Sequence, residues 1–129
     1  MRALTLTLLA CAEPADEEDR FWVEEVDPED GGQMLIAVSP VLVRFSGSLD
    51  LERCTADTMR LDAIRENGSV AFNVPISFDA TADGFVRFMH TAPLPSGWTY
   101  AVTVRGGEAG CADEAGIALE PFYSVFEVP

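Results

Sequence analysis

The chain has 129 residues, a length that suits one domain built around a single hydrophobic core. Its 22 acidic side chains against 8 arginines give a net charge of −14. A field this negative repels the phosphate backbone of nucleic acids, so the composition argues against nucleic acid as a partner.

The first ten residues have the pattern of an export signal. Met1-Arg2 supplies a positive charge, and an apolar run follows over residues 3–10. Eight residues rise only ~12 Å as a helix, which is far short of the ~30 Å hydrocarbon core of a bilayer. The run is therefore not a transmembrane span, and we predict that residues 1–10 are a removable signal peptide.

The end of this signal resembles the lipobox of bacterial lipoproteins, in the stretch Leu8-Leu9-Ala10-Cys11. The resemblance implies that the thiol of Cys11 receives a diacylglycerol and that the chain is cut after Ala10. The amino group of Cys11 that this cut frees is then acylated, for example with palmitate. Several acyl chains are needed because one alone binds a membrane only marginally. The alternative is an ordinary secretory signal in which Cys11 is incidental.

An acidic stretch follows the cysteine. Residues 12–33 hold ten acids and one arginine, whereas residues 34–129 hold twelve acids and six arginines. A run of like charges stays solvated and extended. The sequence therefore predicts a flexible tether over 11–33 and a globular domain over 34–129.

The body consists of short apolar runs that alternate inward and outward positions and are separated by turn residues such as Asn67-Gly68. No window sustains a helical period. About seven short strands in ~95 residues predict an all-β, antiparallel two-sheet sandwich. Pro75 indicates an edge position or a bulge, since proline cannot donate to a strand ladder. The predicted strands cover 34–38, 41–45, 57–64, 70–78, 84–90, 98–104 and 122–128. The predicted core side chains are Val43, Phe45, Phe72, Trp98, Tyr100, Val102 and Phe126.

Two stretches of this body resemble a bacterial immunoglobulin-like domain of the SbsA type, the kind first named from S-layer proteins. One stretch covers 38–50, and the other covers 93–119 and leads into the last strand. The family's leucine, glycine turn and tyrosine match Leu94, Gly97 and Tyr100. The tyrosine is expected either to return its hydroxyl to the backbone of the preceding crossover or to serve only as a core residue.

The second motif of this family is Asp-x-x-Gly-Asn-x-Leu before the last strand. Asp113, Gly116 and Leu119 match it, and Ile117 stands in place of the asparagine. This departure bears on a local hydrogen bond of the turn and not on the fold.

The chain has three cysteines, one at the end of the signal and two in the body. If Cys11 takes the lipid, Cys54 and Cys111 remain as a pair, and an oxidising compartment favours a disulfide between them. Closing a loop of ~58 residues stabilises a domain by ~4 kcal/mol on the chain-entropy model. The alternative is two free thiols.

No catalytic or metal-binding pattern is present in the sequence. The single histidine, His90, has no nucleophile elbow to act with and is expected to be a surface or capping residue. The stretch 79–84 begins like a calcium loop, but its twelfth position is His90 instead of glutamate, so a polar hairpin turn is expected. We predict no enzyme activity, no cofactor and no metal site.

The sequence therefore predicts a lipid-anchored structural or protein-binding module, held at the outer membrane or the periplasmic face and exposed outside the cytoplasm. Its expected partners are the membrane, through the anchor, and an envelope protein or surface polymer. The alternative is a periplasmic metal or small-ligand carrier of CopC-like sandwich shape. Copper carriers of that shape rely on histidines and methionines, and the candidates here are Met34, Met59, Met89 and His90.

Overall fold

The fold is known from a computed structural model, which describes residues 20–80 and 85–129. The described residues form nine strands, and none of them forms a helix that could cross a membrane. The strands are β1 (Val23–Asp27), β2 (Gly32–Gln33), β3 (Val41–Phe45), β4 (Met59–Ile64), β5 (Val70–Val74), β6 (Ser77–Ala80), β7 (Phe85–Met89), β8 (Trp98–Val104) and β9 (Phe122–Val128).

The strands form two sheets that pack face to face. One sheet has the order β1-β3-β7-β6, and the other has the order β2-β9-β8-β4-β5. All pairings are antiparallel except the short parallel contact between β2 and β9. This is the strand order of an immunoglobulin sandwich. One layer has four strands, and in the other layer β8 lies between β4 and the last strand, β9. The predicted class is confirmed, with two strands more than the seven expected.

The core lies between the two layers because alternate side chains of each strand point inward. Along β3 every second residue is buried, as the sequence pattern predicts, and along β8 the inward Tyr100, Val102 and Val104 are buried together with Ala101 on the other face. Of the predicted core, five side chains are buried, whereas Phe72 and Trp98 are half-buried and pack against its edge. The five buried ones are Val43, Phe45, Tyr100, Val102 and Phe126.

The prediction of a flexible tether as far as residue 33 is wrong from residue 20 onward. Phe21 is fully buried and stacks on Phe45 with ring centroids 5.7 Å apart. In β1 the two valines pack against the core while the acidic side chains face solvent. A few inward apolar groups are enough to fix a strand whose other face is charged, so the folded domain already includes residues 21–33.

The first strand changes sheets at Pro28. β1 pairs with β3 in one layer, the chain turns through a cis Asp27–Pro28 peptide and Gly31, and β2 then joins β9 in the other layer. Asp30 secures the change of layer by accepting a hydrogen bond from the Val125 amide at 2.9 Å. The N-terminal segment therefore contacts both sheets.

Two predicted strands differ in the structure. Residues 34–38 form a loop, because Leu35 and Ile36 both point to solvent and break the alternation that a strand requires. The run 70–78 divides into β5 and β6, which belong to different sheets. The division falls at Pro75, where a proline removes a ladder donor.

The sandwich has two distinct ends. At the base, Arg20 enters the fold beside the connections 46–58 and 105–121. At the apex lie the turn 28–31, the loop 34–40, the hairpin 65–69, the crossover 75–76 and the connection 90–97. Backbone hydrogen bonds join the apex connections, from Leu94 to the Ala37 carbonyl at 3.0 Å and from Gly97 to the Val128 carbonyl at 2.7 Å.

Candidate binding surface

The predicted disulfide is present at the base. Cys54 and Cys111 are bonded, are 57 residues apart in sequence, and join the connection after β3 to the connection after β8. Both residues are buried, at 3% and 0% exposure, so the bond lies inside the core and not in a surface turn. The neighbouring Arg53 donates to the carbonyls of Glu108 at 2.6 Å and of Gly107 and Gly110 at 3.2 Å.

The two motifs that resemble the bacterial immunoglobulin-like domain form local hydrogen bonds. The Tyr100 hydroxyl donates to the Pro95 carbonyl at 2.6 Å, so this tyrosine closes the crossover as well as filling the core. The Asp113 carboxylate accepts the amides of Ala115 at 3.0 Å and Ile117 at 2.8 Å. The turn therefore keeps its hydrogen bonds without the asparagine, because the donor at position 117 is the backbone N–H.

The predicted lipid site, Ala10 and Cys11, lies outside the described residues. The chain enters the described fold at Arg20, whose guanidinium donates to both carboxylate oxygens of Glu120, at 2.6 and 2.8 Å, and lies 4.7 Å above the Trp22 ring. The hydrogen bond from Arg20 is the main cause that lowers the pKa of Glu120. Whatever precedes residue 20 therefore joins the sandwich at its base.

The only histidine, His90, is not placed to act as a base or a metal ligand. Its Nδ1 lies 2.7 Å from the Ala92 carbonyl oxygen and its Nε2 lies 2.9 Å from the Ser39 carbonyl oxygen. Both ring nitrogens therefore face the protein, and neither presents a lone pair outward. The histidine acts as a bridge between the loop 34–40 and the connection 90–97, which agrees with its predicted capping role.

The other candidate metal ligands are not gathered around it. Met34 and Met59 are buried, at 4% and 0% exposure, in different parts of the core, and only Met89 reaches the surface. Of the candidate calcium loop, Asp79 forms an ion pair with Arg87, and residues 81–84 lie outside the described residues. In residues 20–80 and 85–129 no group of three histidine, cysteine or acidic side chains is close enough to hold a metal ion.

The most unusual surface of the described chain is the segment 34–38, which we call the apolar loop. Leu35, Ile36 and Val38 are 79%, 64% and 62% exposed, whereas Met34 and Ala37 turn inward against the core. Single exposed apolar residues are ordinary on protein surfaces, but three in one short loop at one end of a domain make the loop a candidate binding surface.

The backbone of the apolar loop is held by hydrogen bonds at several points. The Met34 amide donates to the Glu127 carbonyl at 2.8 Å, and the Ser39 amide donates to the Ile36 carbonyl at 3.0 Å. The Ala37 carbonyl accepts from Leu94, and the Ser39 carbonyl faces His90. The loop therefore presents its apolar side chains from a backbone that is already fixed, and not from a flexible segment.

The charge around the apolar loop is uneven. The loop 34–40, the crossover 75–76 and the connection 90–97 contain no aspartate, glutamate or arginine, although the chain carries 30 such residues. On one flank, however, the turn 27–30 exposes Asp27, Glu29 and Asp30. A recess of about 220 Å³ lies between this turn and the loop, lined among others by Asp27, Pro28, Leu35 and Ile36.

The sequence does not indicate this surface directly, because the apolar run 34–38 has the composition of a strand. The available signal was the adjacent pair Leu35-Ile36 ahead of Pro40, since two consecutive large apolar residues cannot both face the core of a one-sided strand.

A second recess lies at the base between the two sheets. It has a volume of about 500 Å³ and is lined mainly by apolar groups, among them Phe45, Leu49, Met59 and Phe78. No charged side chain is among the described residues that line it.

Comparison with known proteins identifies the fold and not the function. No protein-family model matches the chain, and no curated protein matches it. Among solved structures, the S-layer protein SbsC matches with TM-scores of 0.58 and 0.55 at 17% identity over 84% and 83% of this chain. The chain spans only 13% and 23% of those two S-layer chains. CopC from Methylosinus trichosporium OB3b matches with a TM-score of 0.55 at 14% identity, over 84% of this chain and 93% of CopC. The chain therefore shares its β-sandwich with one segment of an S-layer protein and with nearly the whole of CopC.

Proposed function

We propose that this chain is a lipid-anchored, non-catalytic immunoglobulin-like module of the bacterial cell envelope that binds a protein outside the cytoplasm. The observation that carries the proposal is the Cys54–Cys111 disulfide. Structural disulfides persist in oxidising compartments outside the cytoplasm. The bond also leaves Cys11, in the lipobox-like stretch, as the one cysteine without a partner in the body.

The geometry of the base supports an anchored arrangement. Nine residue steps separate Cys11 from Arg20, so an extended chain reaches at most ~30 Å between them. A tether running to residue 33 would reach more than twice as far. An anchor at Cys11 therefore holds the base of the sandwich close to the bilayer and directs the apex away from it.

The described residues also argue against catalysis. A nucleophile needs a base within hydrogen-bonding reach, and the one imidazole in the chain is engaged with two backbone carbonyls. The proposal therefore assigns the protein a binding role rather than a reaction.

The test is the intact mass of the full chain extracted from membranes of a bacterium with lipoprotein-processing enzymes. We expect a chain that begins at Cys11 and carries two or three acyl groups, and a Cys11→Ser variant that appears unlipidated. A chain cut at the same place without lipid would overturn the anchor and leave a secreted module. A chain that retains residues 1–10 would overturn export itself.

The recess at the base supports a second candidate, a small-ligand carrier. Its volume of about 500 Å³ and its apolar lining suit a small uncharged ligand. The neutral fluorophore N-phenyl-1-naphthylamine is a suitable probe, and an Ala80→Leu variant that fills the recess is the control. Stoichiometric binding of the fluorophore to the parent chain that is lost in Ala80→Leu would favour the carrier. A fluorophore that binds neither the parent chain nor the variant would argue against it.

A further inference from the structure

We infer that the apolar loop binds a basic segment of another protein. In that segment an apolar side chain is flanked by lysine or arginine. The inference deepens the proposed binding function by naming the surface used and the chemistry of the partner. It rests on the part of that proposal which makes the chain a binding module, and not on the lipid anchor.

The apolar loop is both exposed and preorganised. Leu35, Ile36 and Val38 remain 62–79% exposed, although the backbone around them is hydrogen-bonded to the rest of the domain. A flexible loop would bury such side chains or pay conformational entropy on binding. A loop fixed by Glu127, Leu94 and His90 loses little further freedom when a partner covers it.

The charges beside the apolar loop favour a basic partner. The recess beside the loop is apolar on the side of Leu35 and Ile36 and acidic on the side of Asp27. Glu29 and Asp30 extend the acidic flank, and both are exposed. A side chain that enters the recess therefore meets an apolar wall, and the residues next to it meet carboxylates, which favours lysine or arginine at those positions.

The same charges disfavour the other occupants. An anionic bilayer surface attracts basic segments, yet the one cation in the apex connections is Arg65, whose guanidinium donates to the Val70 carbonyl at 2.6 Å. A second copy of the chain would place its own acidic turn 27–30 close to that of the first. Two chains of net charge −14 repel each other, and the apex contains no basic flank to offset this.

The test compares two short synthetic peptides of equal charge, one alternating lysine with leucine and the other lysine with serine. They are titrated into the full chain and into Ile36→Ser, Glu29→Gln and Leu51→Ser variants. Leu51 is the matched control because it is an exposed aliphatic side chain of the same size as Ile36, at 73% against 64% exposure, but lies at the base.

We expect the lysine–leucine peptide to bind at least about tenfold more tightly than the lysine–serine peptide. Ile36→Ser should remove about tenfold of that affinity, Glu29→Gln should weaken it and reduce its salt dependence, and Leu51→Ser should leave it unchanged. Equal binding of the two peptides, or equal losses in Ile36→Ser and Leu51→Ser, would overturn the inference.

Two further measurements address the other occupants. Binding to vesicles of phosphatidylglycerol and phosphatidylethanolamine that is lost in Ile36→Ser would reassign the loop to a bilayer. Self-association in sedimentation equilibrium that is lost in the same variant would reassign it to a second copy. Either result overturns the inference. Neither depends on the intact mass that tests lipid attachment at Cys11, so failure of the anchor is distinguished from failure of the docking surface.

Discussion

Tyr100 shows how one side chain serves two structural purposes. Its ring stacks on Phe126 at a centroid distance of 5.6 Å, and its hydroxyl leaves the core edge to reach the Pro95 carbonyl. Burial raises the pKa of the Tyr100 hydroxyl above its ordinary value. The neutral, hydrogen-bonding form is therefore the one that the folded state favours.

We expect Tyr100→Phe to lower the free energy of unfolding by about 1 kcal/mol at neutral pH, the usual cost of a lost hydrogen bond. The unfolded tyrosine ionises near pH 10 and the folded one at higher pH. The contribution of Tyr100 is therefore complete below about pH 10 and is lost as the pH rises through the pKa of the folded state. Urea denaturation at pH 7 and pH 11 measures both effects.

The control for this prediction is the exposed Tyr123→Phe, which should behave like the parent chain. In that variant Tyr100 is the only phenol, so its ionisation can be followed by ultraviolet absorbance. A parent chain and a Tyr100→Phe variant with the same loss of stability above pH 10 would show that another group causes the alkaline transition.

Gly106 is required by space. A Cβ atom at this position would lie 2.0 Å from the Leu119 carbonyl oxygen, which is a backbone atom and cannot move aside cheaply. We expect Gly106→Ala to cost about 2 kcal/mol or more, or to prevent folding. Gly47→Ala is the control, because its Cβ would meet nothing closer than 3.7 Å. Thermal unfolding of the two variants tests the difference, and equal melting temperatures would contradict it.

At the scale of elements, the sequence allowed some strands to be predicted to the residue. β3, β8 and β9 begin and end at the residues that the sequence predicts. Each of them has a hydrogen-bonded strand on both sides, so most of its inward positions are apolar and the run can be recognised in the sequence. The Cys54–Cys111 pairing was also predictable, because only two cysteines lie in the body.

Other elements could not be predicted, for physical reasons. β1 has only two inward side chains among charged residues, so its composition resembles a solvated tether until the rest of the core is present. The apolar loop contains strand-forming residues whose exposure is decided by contacts with Leu94 and Glu127, which are distant in sequence. The sequence alone therefore does not indicate this candidate surface.

The disulfide links two long connections at the base, and its removal should affect the whole domain. On the chain-entropy model a loop closed over 57 residues contributes about 4 kcal/mol. We expect a Cys54→Ala, Cys111→Ala double variant to lose about that much stability in urea denaturation. Cys11→Ser should change nothing in the same measurement, and a loss below about 1 kcal/mol in the double variant would contradict the prediction.

At the scale of the whole molecule, the described fold already includes Phe21, β1 and β2. A chain starting at Arg20 should be as stable as the full chain, within about 0.5 kcal/mol. A chain starting at Met34 should lose at least about 3 kcal/mol, because Phe21 alone is fully buried and β1 and β2 are removed with it. Calorimetry of the two truncated chains tests the boundary, and a stable chain from residue 34 would restore the longer tether.

The path of the first strand has a mechanical consequence. β1 runs antiparallel to β3 from the base toward the apex, and the next residues are fastened to β9 in the other layer. A pull on Arg20 directed away from the base acts along β1, so its hydrogen bonds to β3 are sheared together instead of opening one after another. We expect the module to resist tension applied between its N-terminus and its apex more strongly than tension applied across the β4–β5 hairpin, which force spectroscopy with attachment points at these sites would measure.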